Sequence, residues 1–265
     1  MGARKTGLDI AVFSLDGSDL LAQLTSVSMS IDGTILNGSG IADQFVTAIW
    51  AGGKGTITAK INHLTSTAPS TNLNVTAWSV GGTSYVGDLR SGSLKFTNPS
   101  QEAKGIADSW AYPQAVGGRA MEGSGSLQVA SATLLHGLMQ KAASATVGDH
   151  TLAFTMTIGA DTFAGDVVIG NATHAAERGG IQEVNVSFQS KTTPSTVGSG
   201  IYATCITGDA LFSIVLDTKA GQYGTSGAAL VGFVSSLDIS FSDGAIVEAT
   251  ITMEIQGQPT ATTSS

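Results

Sequence analysis

Residues 24–31 read LTSVSMSI. Val27, Met29 and Ile31 fall on one side of an extended chain, and Ser26, Ser28 and Ser30 on the other. Strict alternation over eight residues is the pattern of a half-buried β-strand. The same alternation recurs at Thr56–Ile61, Glu183–Gln189, Ser236–Phe241 and Glu248–Ile255. One stretch departs from it. Ser131–Ala143, SATLLHGLMQKAA, places Leu134, Leu135, Leu138 and Met139 at helical spacing behind a Ser or Thr cap, which predicts one short amphipathic helix.

The composition fits a β protein. Of 265 residues, 34 are Gly, and only 12% are charged. The Glu and Lys that clothe exposed helix faces are scarce, while 42% hydrophobic content is enough for a core. A net charge of −8 argues against a protein that grips nucleic acid, which needs clustered Lys and Arg. The single cysteine, Cys205, excludes an internal disulfide. No apolar run approaches 18 residues and no apolar segment follows Arg4 and Lys5, so no membrane partner is expected.

Shifted by 65 residues, positions 8–54 align with 73–119 without a gap, with 12 identities in 47 positions. Leu24, Ser26 and Ser28 meet Leu89, Ser91 and Ser93, Phe13 meets Trp78, and Gly40-Ile41-Ala42-Asp43 meets Gly105-Ile106-Ala107-Asp108. The C-terminal half holds a second related pair. LAFTMTI, FAGDVVI and IQEVNVSFQ within 152–189 parallel LFSIVLD, GFVSSLDISF and IVEATITMEI within 211–255. The order is front, front, back, back, whereas tandem duplication gives front, back, front, back. Nesting explains it economically. An inner unit, 73–194, would sit inside an outer one made of 8–62 and 200–258, with 1–7 and 259–265 as terminal arms. A single large sandwich of weakly similar strands is the other reading.

The inner segment resembles the tail tube (major tail) proteins of long-tailed bacteriophages in its order of elements. SGSLKFT (91–97) precedes a long Gly-containing loop (98–122). Then come GSGSLQV (123–129), the helix TLLHGLMQKAA (133–143), two strands and VNVSFQSKTTPS (184–195). The ending GAIVEATITMEIQGQPTAT (244–262) resembles that family's C-terminus. The resemblance implies a mostly β sandwich or barrel whose strands join those of neighbouring copies around a lumen, with rings stacked into a tube that passes the genome at ejection. It implies a virion tail protein, made in the host bacterial cytoplasm. Its partners would be its own copies, a tape measure protein and tail-end proteins, and DNA would pass without specific binding. Single-unit members form hexameric rings. A fused two-unit chain would need three copies, with six as the fallback. The outer unit departs from the pattern in showing no helix before its back half.

On this reading the polar strand faces line the lumen: Ser26, Ser28, Ser30, Glu183, Asn185, Ser187, Glu248, Thr250 and Thr252. Short hydroxyls and carboxylates offer phosphate few strong donors. The long loops 32–53 and 97–118, carrying Ile41, Asp43, Phe45 and Trp50, and Ile106, Asp108 and Trp110, are expected to contact other copies. No catalytic, cofactor or metal site is expected. His63, His136, His150 and His174 lack ligand spacing, and no G-x-S-x-G elbow or complete phosphate loop occurs. The competing function is a carbohydrate-binding or adhesive β-sandwich, for which Trp50, Trp78 or Trp110 would have to offer exposed platforms.

Overall fold

The computed structural model describes residues 10–38, 47–62, 64–65, 68–69, 75–103, 110–128, 131–143, 151–176, 182–192, 194–197, 202, 206, 211–218, 221–223, 230–259 and 261–262. Among these the principal strands are β1 (Ile10–Leu15), β2 (Leu24–Gly38), β3 (Thr47–Asn62), β4 (Val75–Val80), β5 (Leu89–Thr97), β6 (Ser100–Ala103), β7 (Tyr112–Ala115) and β8 (Ala120–Gln128). After the helix α1 (Ala132–Ala143) come β9 (Leu152–Ile158), β10 (Asp161–Ala175), β11 (Glu183–Ser190), β12 (Phe212–Thr218), β13 (Leu230–Ser242) and β14 (Glu248–Ile255). The fold is mostly β, as the alternating stretches predict, and every strand ladder is antiparallel.

The pairings run in two series. One reads β1-β12-β13-β14-β3-β2 and the other β4-β9-β10-β11-β8-β5. The ladder β13–β5 joins them into one sheet. The long strands β10 and β13 each serve two layers. The first half of β10 pairs with β9 and the second with β11; β13 divides likewise between β12 and β14. A bulge marks the change in each, between Ile169 and Asn171 and between Val234 and Ser236. An extra residue bends a strand and increases its twist, which lets one strand turn the corner of a sandwich.

The core lies between the layers. Trp78 of β4 is buried, with the rings of Tyr85, Phe154 and Phe188 at 6.0, 6.0 and 6.4 Å, in edge-on contacts. The two-residue turns leading out of β1 and β4 are built alike. Asp16 and Gly17 have φ of 50° and 75°, and Gly81 and Gly82 have 57° and 75°. Consecutive positive φ values match the right-handed twist of a hairpin, and Gly, Asn and Asp tolerate them best.

Helix α1 forms within one residue of its predicted start and presents Leu135 and Leu138 to the core. Two other expectations need correction. Residues 32–53 are not a loop throughout: β2 and β3 stay paired from Leu24–Ile61 out to Gly38–Thr47, so Trp50 lies within a strand. The glycines at 33, 38, 52 and 53 hide the side-chain alternation there, but a ladder needs only backbone groups. The outer segment also shows helical backbone before its back strands, at Tyr202 and Ile206, four residues apart and both buried. Two anchors at helical spacing among polar neighbours make too weak a period to read from sequence.

Candidate functional site

The second half of β10 begins an eight-strand layer that continues through β11, β8, β5, the second half of β13, β14, β3 and β2. Along its strands, odd and even residues alternate between core and solvent. In β14, Ala249, Ile251, Met253 and Ile255 are buried, while Glu248, Thr250 and Thr252 face the other way. In β11, Val184, Val186 and Phe188 are buried, while Asn185 and Ser187 are exposed. Ser26, Ser28 and Ser30 are exposed on β2. All nine polar residues expected to lie together therefore share the solvent face of one layer.

The register orders that face into rows. One row runs Glu248, Ser240, Ser93, Ser124, Ser187. The next runs Ser26, Lys60, Thr250, Asp238, Lys95, Glu122, Gln189. A third runs Ser28, Thr58, Thr252. Asn185 lies in the row Ser91, Ser126, Asn185, Thr173, and Glu183 sits between Gln128 and Ala175. The face is concave, and its central trough is lined by Lys60, Lys95, Glu122, Asp238 and Glu248 with serines between them.

The lysines of this face lie near carboxylates, by ion pair or by register. Lys60 Nζ lies 2.7 Å from Glu248 Oε2. Lys95 sits between Asp238 and Glu122 in its row. Lys54 Nζ reaches Glu254 Oε1 at 3.2 Å and Glu102 Oε1 at 3.5 Å. Ser93 and Ser124 share a hydrogen bond of 2.9 Å between hydroxyls. Lys60, Lys95 and Glu122 belong to this face without having been among the residues expected to line it. The β13–β5 and β5–β8 ladders are what set Lys95 between two carboxylates, and the Lys60 side chain reaches Glu248 diagonally across its ladder.

The expected loop residues divide. Ile41, Asp43, Phe45, Ile106 and Asp108 lie outside the described residues. Trp110 is half-buried and forms a parallel bridge with Gly53. Within 97–118 the described residues are not a loop throughout. β6 and β7 form a hairpin, Ala111 donates its N–H to Gly53 O and accepts one from Gly257, and Gln256 Nε2 donates to Pro113 O. This pair is bound to Gly53 within β3 and to the residues just after β14 in the same chain. Among the described residues no group of three or more His, Cys, Asp or Glu could hold a metal, and no helix is long and apolar enough to cross a membrane.

A family model described as phage tail tube protein matches residues 28–190, more than half of the chain. The chain belongs to that family. It is a structural subunit of a phage-type tail tube and a component of the virion tail, and the family is structural rather than enzymatic. Among solved structures, a chain of a particle titled "Virion of native gene transfer agent (GTA) particle" is similar at 12% identity with a TM-score of 0.27, over 74% of this chain and 100% of that one. No curated protein matches.

Proposed function

We propose that the chain carries two tube units, one nested within the other, and that three copies close a ring whose lumen is the concave polar face. Rings stack into a tube, and the genome passes through it at ejection. The carrying observation is the recurrence of one set of pairings. Leu15 opposes Ile214 as Val80 opposes Phe154, Met29 opposes Ile57 as Leu94 opposes Gly123, and Thr250 opposes Asp238 as Asn185 opposes Thr173. The bulges recur at the same 65-residue offset. The offset slips to 66 between β3 and β8, where Ile61 opposes Leu24 and Leu127 opposes Leu89, and to 60 between β9 and β12, where Phe154 corresponds to Ile214.

Three chains supply 3 × 2 = 6 units, the number that single-unit relatives use. The lumen surface agrees with passage rather than binding. Lys60 is ion-paired with Glu248, Lys95 shares its row with Asp238 and Glu122, and the rest of the face is hydroxyls, amides and carboxylates, so a sliding duplex meets few strong donors among the described residues. A tape measure protein inside the growing tube and tail-end proteins at its ends are the further partners of this role, and synthesis occurs in the host bacterial cytoplasm. Trp78 is a core residue and offers no platform for a sugar. Negative-stain microscopy of the purified protein tests the assembly: stacked rings or tubes are expected, and a solution of stable monomers at high concentration contradicts it.

A further inference from the structure

We propose that the far edge of β10 pairs, antiparallel, with the free edge of β2 of a second copy of this chain, in the register that β13 and β5 show within one chain. This rests on the two-unit reading above. Within the chain, β13 pairs with β5 from Ser236–Thr97 to Ser242–Ser91, with Asp238 opposite Lys95 and Ile239 opposite Leu94. Strand β10 stands to β11 as β13 stands to β14, and β2 stands to β3 as β5 stands to β8. Moving the β13–β5 ladder by 65 residues therefore lands on β10 and β2. Among the described residues, β2 pairs only with β3, and the second half of β10 pairs only with β11. Two open edges remain where the recurring pattern calls for a ladder.

The shifted register is specific. Asn171 opposes Asp32, Ala172 opposes Ile31, Thr173 opposes Ser30, His174 opposes Met29, Ala175 opposes Ser28 and Ala176 opposes Val27. Burial supports it. Ile31 is 52% exposed, whereas its counterpart Phe96, which has β13 beside it, is 2% exposed. Side-chain volume supports it as well. In the existing ladder, the ring of Phe241 lies over Gly92, where an added Cβ would come within 2.6 Å of the ring. In the shifted ladder the larger residue changes strands: Val27 stands for Gly92 and Ala176 for Phe241. Phe241 against Val27 would be crowded, and Ala176 against Gly92 would leave a gap. The two ladders are thus not interchangeable, and addition of copies proceeds head to tail, the arrangement that closes rings.

The register also fixes the barrel. Followed across the sheet, Glu248 arrives at Ser187, while its 65-residue counterpart is Glu183, so each unit advances the sheet by four residues. Four strands per unit and six units give 24 strands, and six steps of four residues give a shear of 24. Equal strand number and shear mean a strand tilt of about 36°. With strands about 4.8 Å apart, the backbone circle is about 45 Å across, wide enough to leave a bore for a duplex after side chains are added.

Paired cysteines test the ladder. Ser30→Cys and Thr173→Cys are combined in a Cys205→Ser background, the protein is assembled into tubes, and the tubes are oxidised. Denaturing electrophoresis should show bands at two and three chain masses and none above, with each single-cysteine variant remaining at one. The slipped pair Ser28→Cys with Thr173→Cys should cross-link several-fold less. Hydrogen exchange on the unaltered protein provides the readout should the variants not fold: amides at 27–32 and 171–176 gain protection on assembly. Tubes that show neither cross-link nor added protection overturn the pairing and leave the two-unit reading standing. A ladder reaching six masses keeps the pairing and overturns the three-copy ring. An unaltered protein that forms no rings or tubes overturns the two-unit reading and the pairing with it.

Discussion

Gly123 and Gly125 occupy core-side positions of β8, between Met121 and Leu127, and large rings fill the space that their side chains would take. A Cβ on Gly123 would lie 2.2 Å from the Phe188 ring, and one on Gly125 would lie 2.7 Å from the Trp78 indole. In sequence GSGSLQV carries no apolar alternation, because the residues that fill its core face come from β11 and β4. This is why alternation alone does not mark the start of β8 at Ala120. Gly125→Val should cost about 1–3 kcal/mol by overpacking, read as a lower urea midpoint with an unchanged slope. Lys141 performs a different task. Its Nζ donates to Val80 O at 2.8 Å, Gly81 O at 3.2 Å and Thr83 Oγ1 at 2.7 Å, tying α1 to the turn after β4. Lys141→Met should lower stability by about 1–3 kcal/mol through the carbonyls left without this donor. Burial holds the Lys141 ammonium below the ordinary lysine value. The folded state therefore releases this proton before the unfolded chain does, so stability from this group rises as pH climbs through the lowered value toward 10.5 and is missing below it. The Met variant should lack that alkaline rise in its urea midpoint.

At the scale of elements, the strands with one buried and one wet face were legible because each second residue reports its environment. Glu248–Ile255 and Leu152–Ile158 agree with the structure at both ends. Legibility failed where the informative residue is glycine or where burial is shared by distant strands. The outer reach of the β2–β3 hairpin and the helical backbone at Tyr202 and at Ile206 are of that kind. The polar face could be assembled from alternation alone, residue by residue. Its placing of Lys95 opposite Asp238 could not, since these residues lie 143 positions apart and only the β13–β5 ladder joins them. Strand β2 is where the account can be challenged with one substitution. Ile31 is exposed in the single chain, so Ile31→Asp should leave the thermal midpoint nearly unchanged, as surface substitutions generally do. The same change should abolish tubes in sedimentation, because the charge would be enclosed between β2 and the next copy's β10.

For the whole molecule, open strand edges are a liability unless assembly uses them. Closing three chains into a ring leaves no edge in the inner layer and gathers a formal charge of 3 × −8 = −24. Changing Glu183 and Glu248 together to Lys adds positive charge at two places in every chain and separates Lys60 from its carboxylate. Such tubes should assemble yet retain duplex DNA in a filter assay at low salt and release it as salt rises, whereas unaltered tubes retain none. Equal retention by both would show that these residues do not face the bore. Whether one chain spans two sectors of the ring is decided by the rotational symmetry of a tube in cryo-microscopy. Three chains per ring are expected, about 80 kDa in total from a chain of 26.7 kDa, with inner strands tilted by about 36° and units repeating near every sixth of a turn. Six chains in each ring would contradict it.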